Sequence, residues 1–162
     1  MEKILRKVQE NAATTRALKL FSHLVSALSV ASFLFLILVS LKESPLEFLR
    51  LALVLGVPFV AVTVLRKLIN APRPYEIYDF YPTPPKNKSG SSFPSRHAHS
   101  AFAIGTVMCF YSPILGSVLL VLGGFMCCAR VLVGMHFVRD VICGAVVGSV
   151  SALVGAIIFT VI

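Results

Sequence analysis

From Ala98 to Ala129 the chain runs 32 residues without a Lys, Arg, Asp or Glu, and from Leu20 to Leu41 it runs 22. At ~1.5 Å per helical residue, even the shorter run covers a ~30 Å hydrocarbon core. Lipid offers no water to satisfy backbone N–H and C=O groups, so an open sheet cannot cross it and a helix can. The expected fold is all-α: an integral membrane helical bundle. Composition agrees, since 57% of the residues are hydrophobic and only 14% charged, against about a quarter charged in soluble domains.

Five transmembrane helices are expected, preceded by a short N-terminal amphipathic helix, in a single membrane-embedded domain over 1–162. Leu20 to Leu41 forms the first span, and Lys42-Glu43-Ser44-Pro45 ends it. Leu46 to Leu65 forms the second, with Glu47 and Arg50 near enough to its start to reach the interface and Pro58 expected to kink it. The 32-residue run is too long for one span and breaks at Tyr111-Ser112-Pro113, giving a hairpin of His97 to Tyr111 and Ile114 to Val133. Val141 to Ile162 is the last span, and its Gly144-xxx-Gly148 pairing allows close helix contact. The one substantial loop, residues 66–97, carries six prolines and a Lys86-to-Ser92 polar stretch that cannot sustain a long helix. Residues 1–19 form a basic leader, expected to be retained as it lacks the pattern of a cleaved secretory signal. Ile4, Leu5, Val8 and Ala12 share one helical face there, which lies on the membrane surface or belongs to a solvated helix.

Five spans put the leader, the 66–97 loop and the 130–140 turn on one side, together with 13 of the 15 Lys and Arg residues. Setting aside Arg66, Arg73, Arg96 and Arg130, the count still runs nine to two. Positive loops stay in the cytoplasm, so this face is expected to be cytoplasmic. The net charge of +8 in an embedded chain fits anionic headgroups or phosphate substrates, with no nucleic-acid partner expected. Cys109, Cys127, Cys128 and Cys143 lie in apolar segments without zinc-site spacing and read as small apolar fillers.

Three polar clusters fall on this same face: Arg66 with Arg73-Pro74, then Pro94-Ser95-Arg96-His97, then Arg130 with His136 and Asp140. Ionisable residues at such positions are expensive to desolvate and usually functional. Planar guanidinium forks match phosphate oxygens, a role open to Arg66, Arg73 and Arg130, although arginines at span ends also serve as interfacial anchors. Ser95 opens a helix whose free N–H groups attract anions, or is simply its cap. His136 and Asp140, four apart, let a carboxylate hold one imidazole nitrogen and leave the other as a nucleophile, or are an interfacial histidine and an exposed acid. His23, alone in the first span, reads as a packed or interhelical hydrogen-bonding residue.

At these residues, over about half the chain, the sequence resembles the phosphatidic acid phosphatase type 2 family, whose site is shared with vanadium haloperoxidases and glucose-6-phosphatase. The family pattern is lysine, six residues, Arg-Pro; then Pro-Ser-Gly-His; then Ser-Arg, five residues, His, three residues, Asp. The resemblance implies that His136 attacks phosphorus, Asp140 orients it and His97 protonates the leaving oxygen. Arg66, Arg73, Ser95 and Arg130 would hold phosphate oxygens, assisted by the backbone N–H of Arg96. It implies no metal and no cofactor, hence chelator-insensitive activity with a bell-shaped pH profile. The expected substrate is a lipid phosphate or diphosphate in a bacterial plasma membrane: phosphatidic acid, phosphatidylglycerophosphate, or a polyprenyl species such as undecaprenyl diphosphate. The alternative is a catalytically weak membrane protein that only binds lipid phosphates. Oligomeric state is left open. Three departures stand out: Arg66 for lysine, Arg96 for glycine, which would force the turn despite a side chain, and Ala129 for serine.

Overall fold

The computed structural model describes residues 6 to 8, 10 to 78 and 89 to 161. Its elements in chain order are α1 (Ala12–Glu43), α2 (Pro45–Ile69), α3 (Pro74–Ile77), α4 (Arg96–Tyr111), α5 (Pro113–Leu132) and α6 (Val138–Val161). No strand occurs among the described residues. Ile4 and Leu5, on which the N-terminal amphipathic helix chiefly rested, lie outside them, as does residue 162. The leader is not separate from the first span: α1 begins at Ala12, where the Asn11 side chain accepts the Thr14 N–H at 3.1 Å.

Two Ser-Pro joints turn the chain. Ser44 gives its N–H to the Ser40 carbonyl at 3.1 Å, ending α1, and its hydroxyl accepts the Glu47 N–H at 3.1 Å, starting α2. Ser112 does the same between Met108 (2.8 Å) and Leu115 (3.4 Å), joining α4 to α5. Each serine is thus both C-cap and N-cap, and the proline after it occupies the first helical turn, where its missing N–H is harmless. Pro58 sits within the continuous helix α2. Glu47 and Arg50, near its start, pair with each other at 2.6 Å.

Among the described residues four helices, α1, α2, α5 and α6, are long and apolar enough to cross a membrane. The fifth expected span exists as α4, but with 16 residues it is only ~24 Å long. It differs because it is the hub of the bundle, packed most extensively against α5 and α6 and buried from Ala103 through Met108. The outer faces carry the exposed apolar side chains instead, among them Leu24, Leu38, Val57, Phe125 and Ile157, as a lipid-facing surface requires. Buried serines of α1 satisfy themselves on helix carbonyls, as Ser22 does on Leu18 at 2.9 Å and Ser29 on Val25 at 3.0 Å.

Glycines set the two closest approaches. Down α4 and up α5, Gly105 lies against Leu120, Gly116 against Cys109 and Gly123 against Phe102, the constant register of an antiparallel hairpin. Along α6, Gly144 faces the Ser95 carbonyl and Gly148 the His99 carbonyl, so α4 and α6 run parallel. This alternation brings the C-terminal ends of α2 and α5 and the N-terminal ends of α4 and α6 to one face.

A Cβ at Gly148 would collide with the His99 carbonyl oxygen, whereas one at Gly124 meets nothing within 4 Å. Gly148→Ala should therefore destabilise the protein by about 1–3 kcal/mol, while Gly124→Ala should leave it unchanged or gain up to about 1 kcal/mol. Thermal unfolding of the two variants in detergent, compared with the parent, measures the contrast.

Candidate active site

The site is assembled where these four helix ends meet the 66–97 loop. α2 stops at Asn70, whose left-handed backbone (φ 44°) lets its N–H reach the Arg66 carbonyl at 3.0 Å. The Asn70 side-chain oxygen then accepts the Ser91 N–H at 3.2 Å. Gly90 passes so close to that oxygen, at φ 65°, that a Cβ there would overlap it. Glu76 clamps both arms of the loop, accepting the Arg73 N–H at 2.8 Å and the Gly90 N–H at 2.6 Å. Arg73 Nε donates to the Gly90 carbonyl at 3.0 Å, and the Ser92 N–H to the Ala71 carbonyl at 2.9 Å. Residues 79 to 88 of this loop lie outside the described residues.

Arg66, in the last turn of α2, donates to the Pro94 carbonyl at 2.7 Å and to the Ser91 carbonyl. It therefore secures the segment that leads into α4. Ser95 caps α4, its hydroxyl 3.5 Å from the Ala98 N–H, and its own N–H donates to the Asp140 carbonyl at 2.9 Å. Arg96 is the first residue of α4 and does not have the positive φ that glycine would supply; Asn70 and Ser91 are the non-glycine residues that do. The expectation that Arg96 must force a glycine turn is thus corrected: an ordinary helical backbone serves, and the exposed side chain is free to face the cavity.

That cavity has a volume of about 390 Å³. Six of the eight residues singled out in the sequence line it: Arg66, Arg73, Arg96, His97, Arg130 and His136. Ser95 and Asp140, both fully buried, sit behind the wall. Arg66, Arg73 and Arg130 are more than nine-tenths buried and none forms an ion pair with a carboxylate among the described residues. Arg130 Nε has no hydrogen-bond partner there. Lys67 adds a fifth cationic side chain to the lining, which contains no acid. Such a hollow is electropositive and suited to a multivalent oxyanion. Among the described residues no three His, Cys, Asp or Glu side chains gather as a metal site.

His136 is in the turn before α6, and Asp140 in the first turn of that helix. Asp140 Oδ2 accepts the Phe137 N–H at 2.9 Å and lies 3.6 Å from His136 Nδ1. Ser92 closes the triangle: its hydroxyl donates to Asp140 Oδ2 at 2.5 Å and stands 3.3 Å from His136 Nδ1. With Nδ1 occupied on this side, Nε2 is the nitrogen left for chemistry. Burial pushes the His136 pKa below the ordinary imidazole value; contact with Asp140 opposes that, while Arg73 and Arg130 reinforce it. The neutral ring is the form of a nucleophile.

The sequence reading missed Ser92, which looked like one more serine in a polar run. It also missed Glu76, although Pro74 followed by Glu76 is the pattern of a helix start. His23, expected to pack within the bundle, is exposed and faces the cavity beside Thr63 and Lys67. Ala129, where the family has serine, is buried. The four cysteines are unpaired.

Ser92→Ala should lower kcat for phosphate-ester hydrolysis about tenfold to a hundredfold, the worth of one hydrogen bond to a charged group. KM should hardly change, because Ser92 stands behind the histidine. Steady-state kinetics separates the two parameters.

Comparison with known proteins follows the same lines. Residues 47–161 match the family model described as the PAP2 superfamily. The fold resembles that of LpxE from Aquifex aeolicus, with a TM-score of 0.71, 22% identity, and coverage of 95% of this chain and 93% of that one. It also resembles a transmembrane PAP2-type phosphatidylglycerolphosphate phosphatase from Bacillus subtilis, with a TM-score of 0.73, 22% identity, and coverage of 99% and 85%. A sequence search of curated proteins returns no match. With the matched segment spanning well over half the chain and containing all eight site residues, this integral membrane protein belongs to the PAP2 superfamily.

Proposed function

We propose that the protein hydrolyses a phosphate monoester or diphosphate on a membrane lipid, through a covalent phosphohistidine. The observation that carries this reading is that His97 and His136 face one cavity with three buried arginines that lack carboxylate partners among the described residues. His136 Nε2 attacks phosphorus, forming the N–P bond as the bond to the lipid oxygen breaks. His97, protonated when the anionic phosphate is bound beside it, gives its proton to that oxygen, and the lipid alcohol, or lipid monophosphate, departs. Water activated by the now neutral His97 then cleaves the N–P bond, releasing inorganic phosphate and restoring both imidazoles. Arg66, Arg73 and Arg130, with the N–H of Arg96, stabilise the charge on the equatorial oxygens. Ser95 supports this wall as the α4 cap, and Asp140 holds His136 in register. Phosphatidic acid, phosphatidylglycerophosphate and polyprenyl phosphates or diphosphates are the candidate substrates.

His136→Ala should abolish phosphate release, and rapid quenching of the parent with radiolabelled lipid phosphate should trap an acid-labile phosphoprotein that the variant lacks. Absence of release by the parent across all these lipids would favour the binding-only alternative. Because burial holds the His136 pKa below the ordinary value, its neutral form persists as pH falls. The acidic limb of the kcat/KM profile should therefore lie below about 6.5; a limb above that value would contradict a buried neutral nucleophile.

We assign the site to the cytoplasmic face, on the support of the 13 basic residues that share its side of the membrane. A single cysteine at position 88, in a variant whose four native cysteines are replaced, should resist an impermeant thiol reagent in intact cells and react once the cells are opened. Ready labelling in intact cells would reverse the assignment.

A further inference from the structure

The cationic cavity is the first of three adjacent hollows that share lining residues. It shares Arg96 and His97 with a second, of about 270 Å³, that reaches Ser26 and Ser29 on α1. The second shares Val30, Phe59, Ser100 and Ile104 with a third, of about 260 Å³, between α1, α2 and α4. The route thus leads from five cationic side chains at the helix ends into an apolar groove along the bundle. A lipid held by its phosphate in the first hollow has this groove open to its chain.

One residue of that groove does not fit an apolar role. His99 lines the third hollow, yet it is 1% exposed and both of its ring nitrogens lack a hydrogen-bond partner among the described residues. Its backbone carbonyl is pressed against Gly148 of α6, on the far side of α4. Its ring faces α2, with the Phe59 ring centroid 6.4 Å away. A buried imidazole N–H without an acceptor is unfavourable, and a ligand that brings an acceptor regains the missing bond. His99 is two residues beyond His97, ~3 Å further along the helix axis and about 160° round it, so it is met in the third hollow, after the route has turned round α4. A diacylglycerol phosphate carries its ester carbonyls a few bonds from phosphorus, at about that depth, whereas a prenyl phosphate has only hydrocarbon there.

We propose that His99 donates a hydrogen bond to an acyl ester carbonyl of a glycerolipid phosphate whose chain lies in the α1–α2–α4 groove, selecting such lipids over prenyl phosphates. The proposal rests on the phosphatase reading above and assigns His99 a positioning role, not a part in bond breaking. The test compares kcat/KM in detergent micelles for dioctanoyl phosphatidic acid, its dioctyl ether analogue and farnesyl phosphate. The parent should prefer the ester over the ether about tenfold, a comparison that needs no variant. His99→Phe should bring the ester down to the level of the ether and leave the ether and farnesyl phosphate unchanged, and His99→Gln, which keeps an N–H donor, should restore part of the preference. Equal ester and ether rates in the parent, or a uniform loss on all three substrates in His99→Phe, would overturn the role of His99 alone. No phosphate release from any substrate by the parent would overturn the phosphatase reading and this inference with it.

Discussion

Three guanidinium groups buried at one end of an apolar bundle, without carboxylate partners among the described residues, are the constraint to which the surrounding structure answers. Desolvating a cation is expensive, and in a membrane helix the expense is met by carbonyl oxygens, water or a bound anion. Arg66 and Arg73 turn to loop carbonyls, those of Ser91, Pro94 and Gly90, so the loop is drawn over the helix ends by the charges it covers. Arg130 keeps a buried Nε without a partner among the described residues. An oxyanion completes this arrangement where a protein carboxylate would cancel it, and Asp140, behind the wall, is committed to Ser92, to the Phe137 N–H and to His136.

Precision at the site comes from the close approach of α4 and α6. Two glycines of α6 admit the backbone of α4 at Ser95 and His99, and the same contact sets the Ser95 N–H on the Asp140 carbonyl. The anion-attracting start of α4 and the histidine that precedes α6 are therefore fixed to one another by main chain, which is stiffer than any pair of side chains. Glu76 and Asn70 perform the corresponding task for the loop, joining residues that are 14 and 21 apart in sequence.

The bundle and the residues facing the cavity were legible because each rests on a signal local in sequence: uncharged runs, Ser-Pro breaks, and charged residues at the edges of those runs. What was not legible depends on contacts between distant segments. Ser92 gains its role from Asp140, 48 residues away, and nothing in a serine-rich loop marks it. His23 faces the cavity because α1 crosses beside α2, a packing angle that an all-round apolar helix does not encode. The segment His97 to Tyr111 was found where expected, as α4, and as a sheathed hub it need not match the bilayer thickness. The difficulty anticipated at Arg96 dissolves for a local reason, since the turn before α4 places its left-handed residues at Gly90 and Ser91, upstream of the cap.

His97 stands at the boundary between the cationic cavity and the groove, lining both hollows. In the proposed reaction this is where the lipid oxygen leaves phosphorus, so proton delivery coincides with the passage from water-facing to lipid-facing surroundings. The dephosphorylated lipid is then already in its own phase, while phosphate remains among arginines open to water. Separation of products by solvent preference opposes the return reaction without any moving part.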